Sequence, residues 1–273
     1  MNEPDLLQRV LAALEPHAAA AVLRVATRLA EMTAAGVEAV HVGRSLPAAL
    51  VELADRAQVE LRAIAGPADR ALLAELERPE FNAIVMGPGS DRHGYRPLGP
   101  TTRYVAERST KPVVVVPVTG GGEGPERPFR RLLVPLEGSE PSSRTVLETL
   151  LPRLVAGVEV EVLHVFTQET QPRMLDDPVR DLETLGREFL AKHFPSASGI
   201  VLRSGVVADA VREHCDERGA DMVVLSWSQH RTEGSARVVH DVLRSAAVPV
   251  MLLPVARDLG PTALPERQAP AAP

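Results

Sequence analysis

Short runs rich in Val, Leu and Ile recur along the chain, four to six residues each. That is the pattern of strands covered on both faces. Between the runs the apolar positions change period. Leu23, Val25, Ala26, Leu29 and Met32 repeat near 3.6 residues, and so do Leu147, Leu150, Leu151 and Leu154, as on helices packed against a sheet. Strands alternating with helices predict right-handed crossovers in a parallel sheet. The predicted strands are 9–14, 37–42, 60–65, 82–87 and 112–118, then 131–136, 158–165, 199–204, 221–226 and 248–254.

The two sets of five strands are copies of one another. Arg9-Val-Leu-Ala-Ala-Leu-Glu15 aligns with Arg131-Leu-Leu-Val-Pro-Leu-Glu137, and Val37-Glu-Ala-Val-His-Val42 with Val160-Glu-Val-Leu-His-Val165. Asn82-Ala-Ile-Val-Met-Gly87 aligns with Asp221-Met-Val-Val-Leu-Ser226, and Pro112-Val-Val-Val-Val-Pro117 with Pro249-Val-Met-Leu-Leu-Pro254. An internal repeat in constant order implies two units of one architecture. The offset rises from 123 to 139 between the second and fourth strands, which adds about 16 residues to the second copy, near Phe166 to Asp181. The expected organisation is a first domain over 1–118, a Gly/Pro/charge linker over 119–128, a second domain over 129–256 and a disordered tail over 257–273. The expected fold class is α/β, two tandem doubly wound units with five-stranded parallel sheets.

Composition narrows the function. The formal net charge is -6 over 273 residues and neither half holds a basic block, which argues against a nucleic-acid partner. Eight aromatics, five Phe, two Tyr and one Trp, leave little for stacking bases or sugars. No apolar run approaches the roughly 20 residues of a membrane helix, and residues 1–15 lack the long apolar core of a secretory signal. With Cys215 alone no internal disulfide can form. These features predict a cytoplasmic protein away from membranes.

Ligands of open parallel sheets bind beyond the carboxyl ends of the strands. The residues there are Glu15-Pro16-His17 and Glu137-Gly138-Ser139 after the first strands, then Gly87-Pro88-Gly89-Ser90 and Ser226-Trp227-Ser228-Gln229 after the fourth. The stretch Leu133-Val-Pro-Leu-Glu-Gly-Ser-Glu-Pro-Ser-Ser143 resembles the opening of universal stress proteins, whose first strand usually ends in Asp-Gly-Ser. Ala83-Ile-Val-Met-Gly-Pro-Gly89 through Gly99, with Val105-Ala-Glu-Arg108 and Lys111-Pro-Val-Val-Val-Val-Pro117, is similar to the closing half of the same family. The resemblance spans about 9–118 and 131–254 and implies a tandem universal stress protein of the UspA type. It implies Rossmann-like domains whose fifth strands pair antiparallel about a pseudo-two-fold axis, with a route to a homodimer.

Nucleotide-binding members carry Gly, two residues, Gly, nine residues, Gly, then Ser or Thr. Bare glycines let backbone N–H groups reach phosphate, and the following helix N-terminus favours its charge. In the first copy Gly89 and Gly99 keep the nine-residue spacing. Gly87 stands one residue too close, and Pro100 takes the Ser/Thr place ahead of Thr101 and Thr102. The resemblance therefore implies at most one ATP or AMP site, with any magnesium carried by the nucleotide. Its residues would be Gly87, Gly89, Gly99 and Thr101 at the phosphates, Glu15 toward ribose or base, and Val42 and Met86 as apolar walls.

The bland readings stand beside these. Gly87, Gly89 and Gly99 can serve turn geometry alone, and Glu15 and Glu137 can be solvated carboxylates beside a helix N-terminus, worth roughly 0.3–1 kcal/mol. Arg92, His93, Gly94 and Arg96 can be a solvated loop or supply charge to a phosphate. Glu137 is the second copy's candidate contact, but Trp227 is bulky enough to fill a nucleotide pocket there as easily as to line one. No acid–base pair, nucleophile elbow or phosphate-binding lysine loop is present, so no catalytic residue and no metal site is expected. His41 and His164, at matched strand ends, are read as structural. The alternative to a nucleotide-binding regulator is a scaffold in which both pockets have degenerated.

Overall fold

The computed structural model describes residues 8–89, 98–117, 128–168, 170, 178–197, 199–228 and 233–255, with backbone alone at 178–180 and 233–236. The expected linker from 119 to 127, the tail, and Arg92, His93, Gly94, Arg96 and Gln229 lie outside them. The first repeat runs β1 (Arg9–Ala13), α1 (Ala19–Thr33), β2 (Gly36–Val42), α2 (Ala48–Ala57), β3 (Glu60–Ile64), α3 (Ala68–Leu76), β4 (Phe81–Met86), α4 (Pro100–Arg108) and β5 (Val113–Val115). The second runs β6 (Arg131–Pro135), α5 (Glu140–Thr145), β7 (Glu159–Phe166), α6 (Pro178–His193), β8 (Ile200–Ser204), α7 (Val207–Arg218), β9 (Met222–Trp227), α8 (Glu233–Ser245) and β10 (Val250–Pro254).

The ten strands form one sheet in the order β3-β2-β1-β4-β5-β10-β9-β6-β7-β8. Every pairing is parallel except at the centre, where β5 and β10 run antiparallel, Val113, Val114 and Val115 opposite Leu252, Met251 and Val250. The expected antiparallel seam is thus an internal junction. It inverts one repeat relative to the other, so the C-terminal ends of β1–β5 share an edge of the sheet with the N-terminal ends of β6–β10.

Both faces of the sheet are covered, which is why strands such as β5 and β10 read as unbroken apolar runs. Val10 and Ala12 belong to one buried cluster, while Leu11 and Ala13 between them belong to the other. Each cluster extends through both repeats. Arg28 of α1 reaches across the seam, its guanidinium 3.9 Å from the Phe129 ring centroid and 3.7 Å from Asp221. Asp221 in turn accepts the backbone N–H groups of Arg130 and Arg131 at 2.8 and 2.9 Å, fixing the start of β6. On the edge of the first repeat, Lys111 Nζ donates to the carbonyls of Leu76, Arg78 and Phe81, closing the C-terminal end of α3.

The second repeat departs from the first in its helices. The helical period at Leu147–Leu154 resolves into α5, a wider i→i+5 turn over Val146–Leu150 and a 3-10 turn at Leu151–Arg153. Pro152 cannot donate into a regular helix, which accounts for the change of pitch. Where α2 has ten residues, α6 has 16, so part of the added length is helix.

Candidate functional site

Strand order reverses between β1 and β4 in the first repeat, since the helices after them pack on opposite faces. At that point lies a cavity of about 80 Å³ lined at its rim by Glu15 and within by Val42, Met86, Leu72, Gly87 and Thr102. Four of the expected residues, Glu15, Val42, Met86 and Gly87, are therefore brought together. Sequence reasoning missed Ala68 and Leu72 of α3, which close the apolar side. The only signal for them was their place on the helix after β3.

Gly89 and Gly99 meet just beyond the cavity. Gly89 has φ of +76°, and a Cβ there would stand 3.2 Å from Gly99 Cα. Both the dihedral and the close approach call for glycine. A Cβ at Gly87 would come 3.2 Å from that of Ala18, so the same loop is tight against the start of α1. Thr102, on the first turn of α4, donates its hydroxyl to the Gly87 carbonyl at 2.9 Å, tying loop to helix. Thr101 precedes it on that turn and does not line the cavity.

One expected phosphate donor is otherwise engaged: the Gly99 N–H donates to the Pro88 carbonyl at 2.6 Å. That donor is therefore satisfied within the protein itself. The first-turn N–H groups of Thr101 and Thr102 have no intrahelical acceptor and carry the positive end of the α4 dipole. Glu15 is half-exposed, with His17 Nε2 3.5 Å from its carboxylate.

At the matching end of the second repeat the described residues are buried or engaged with one another. Trp227, 5% exposed, belongs to the buried cluster that holds Val165, Ala208, Val211 and Leu225. Glu137 is committed to its own turn, where Oε1 accepts the hydroxyls of Ser139 and Ser142 at 2.8 and 2.9 Å. Gly138, at φ of +89°, lies under Phe189 of α6, whose ring would be 3.1 Å from a Cβ there. Phe189 stacks between His164 and His193, with centroids 4.5 and 4.8 Å away, and Ser143 Oγ lies 3.2 Å from His193 Nδ1. Burial, with Lys192 and His164 nearby, holds the His193 imidazole below its ordinary range.

The matched histidines have matched partners. His41 Nδ1 lies 2.9 Å from the Leu14 carbonyl and His164 Nδ1 2.8 Å from that of Leu136. A carbonyl only accepts, so each ring carries its proton on Nδ1. Each pins the residue just after the first strand of its repeat. Burial, then Asp216, pushes the Cys215 thiol up to about 11, which leaves it unreactive at neutral pH.

A model of the universal stress protein family matches residues 48–117 and 128–254, more than half of the chain. The chain belongs to the universal stress protein family. A putative universal stress protein from Pseudomonas aeruginosa UCBPP-PA14 superposes at a TM-score of 0.62 and 14% identity, over 91% of this chain and 93% of that one. A universal stress protein from Archaeoglobus fulgidus DSM 4304 gives 0.58 and 17%, over 93% and 100%. A functionally unknown protein from Pseudomonas aeruginosa PAO1 gives 0.63 and 14%, over 91% and 93%. Identities this low carry the fold, and they show this tandem arrangement to be one that universal stress proteins adopt. No curated protein matches the chain. The matched part of this universal stress protein begins at the first residue of α2, so Glu15 and Val42 lie ahead of it. No helix among the described residues is long and apolar enough to cross a membrane.

Proposed function

We propose that this universal stress protein is a regulatory or sensing protein without catalytic chemistry, which takes one adenine nucleotide, ATP or AMP, in its first repeat. The observation that carries the reading is the cavity at the β1/β4 switch point, bounded by Glu15, Val42, Met86 and Gly87. Its apolar wall suits a purine ring, and the half-exposed Glu15 carboxylate at its rim suits a pair of ribose hydroxyls, which donate to it. Phosphates would lie outside, over Gly89 and the first turn of α4, where the N–H groups of Thr101 and Thr102 and the helix dipole favour negative charge. A magnesium ion would arrive with the nucleotide.

The fit is partial. Sites for drug-sized ligands run to about 300–1,000 Å³, so a cavity of about 80 Å³ encloses no more than the base end. A second reading, a nucleotide-independent scaffold, is favoured by the Gly99 N–H already engaged with Pro88. Equilibrium dialysis with labelled ATP and AMP separates the two. Saturable binding that Gly99→Val removes supports the nucleotide site, and no saturable binding in the intact chain leaves the scaffold.

A further inference from the structure

The two repeats differ at the opposite ends of their strands as well, and there it is the second repeat that is open. In the first repeat, Glu38 of β2 is buried beneath two guanidinium groups: Arg9 Nη1 donates to it at 2.7 Å and Arg62 Nε at 2.6 Å. Arg62 also bonds Glu75 of α3, so one guanidinium bridges two carboxylates. Burial pushes the Glu38 carboxyl up, but the bonds from Arg62 and Arg9 outweigh it and leave the group below its ordinary value.

Strand register identifies the counterparts. Glu38 pairs with Leu11 as Glu161 pairs with Leu133, and Arg62 pairs with Val40 as Val201 pairs with Leu163. Counted from the first residue of α3 and α7, Glu75 corresponds to His214. The carboxylate of the network is kept, while its bridging guanidinium has become Val201 and its second carboxylate a histidine. In place of the missing side chain there is a cleft of about 730 Å³, lined among others by Glu161, Val201, Phe194, Arg131 and Arg218.

The charges left behind are poorly matched. Glu161 Oε2 is buried and accepts no hydrogen bond, although His214 Nε2 lies 3.0 Å away, and both ring nitrogens of the buried His214 are likewise without hydrogen bonds. Arg218 approaches Glu161 Oε1 only to 3.5 Å and is largely exposed, and Arg131 has turned to Glu159. A buried carboxylate oxygen whose neighbouring donor is not aligned to bond it is costly. Its homologue in the same chain shows which group satisfies it.

We propose that this cleft is a binding site for a guanidinium group carried on an apolar chain, which would take up against Glu161 the position that Arg62 holds against Glu38. Phe194 and Val201 would cover the methylene stem, as arginine stems are covered elsewhere, and the planar fork would bond the carboxylate in the geometry that favours Arg over Lys. The source is either a small alkylguanidine or an arginine side chain of another protein. The site is independent of the nucleotide reading.

The test uses the full chain, labelled for amide NMR and titrated with butylguanidinium, with butanol as the chain-only control. Saturable shifts centred on Glu159–Glu161 and Val201 are expected with butylguanidinium and not with butanol. Val201→Arg, which restores the first repeat's pattern, and Glu161→Gln should each weaken binding at least about tenfold. A parallel titration with an acetylated, amidated pentapeptide centred on arginine separates the sources, since a protein partner predicts tighter binding than the small probe and a small ligand predicts no gain. Absence of saturable shifts with both probes overturns the proposal, as does binding that survives in folded Val201→Arg or Glu161→Gln protein.

Discussion

At the end of β1, Glu15 stands half-exposed above a cavity; at the end of β6, Glu137 is held by two serine hydroxyls beneath a helix that carries Phe189, and Trp227 is buried at the end of β9. The strands that lead to the two turns pair in the same register. A duplicated sheet can thus keep its backbone while a few side chains from neighbouring helices and strand ends make its two matching turns different. At the opposite ends the difference runs the other way, Arg62 closing the first repeat and Val201 opening the second.

Trp227→Ala attacks the comparison hardest. Removing so large a buried side chain should cost about 3–5 kcal/mol of stability, measured by denaturant unfolding. It should not create a second nucleotide site, because Ser139 and Ser142 still hold Glu137. A second site in that variant would mean that Trp227 alone closes the repeat.

Gly89→Val strikes the open side. A β-branched residue at φ of +76° with Gly99 Cα 3.2 Å away should cost about 1–3 kcal/mol. It should also abolish ATP binding, read by dialysis under conditions where the variant is folded.

The carboxylates sharpen the contrast at smaller scale. Glu137→Gln weakens two hydrogen bonds to a charged acceptor and should cost about 1 kcal/mol. Glu15→Gln should stay within about 0.5 kcal/mol of the parent in stability while lowering nucleotide affinity about tenfold. Equal effects of the two substitutions on stability would remove the distinction drawn between the turns.

The smallest effect is a slope. His193 and His240, both in the second repeat, are held below the ordinary 6.5 chiefly by burial. The folded state therefore binds fewer protons than the unfolded one. Their contribution to stability is complete above pH 6.5 and is lost as pH falls from there through the folded values. His193→Gln should flatten the acid side of the stability profile without flattening it fully, since His240 acts in the same direction.

The strands were legible because a sheet covered on both faces demands apolar residues at every position, as at Val113–Val115 and Met222–Leu225. The open site was legible in part for the same reason. Glu15, Val42, Met86 and Gly87 lie at strand ends, and knowing the strands placed them on one edge. The closed site was less so. Trp227 could be suspected from its bulk, but Phe189 covers Gly138 from 51 positions further along the chain, and nothing local marks that contact. Nor does spacing reveal that the Gly99 N–H would be spent on Pro88, a contact between residues eleven positions apart. The exchange of Arg62 for Val201 became visible only once register had matched the strands residue by residue.

The proposed asymmetry is one nucleotide site in a chain with two copies of the fold. Its most direct test is the stoichiometry of ATP binding to the intact chain by calorimetric titration. One site per chain, lost in Gly89→Val and kept in Glu137→Gln, is the predicted result. Two sites, or one that survives Gly89→Val and disappears in Glu137→Gln, would contradict it.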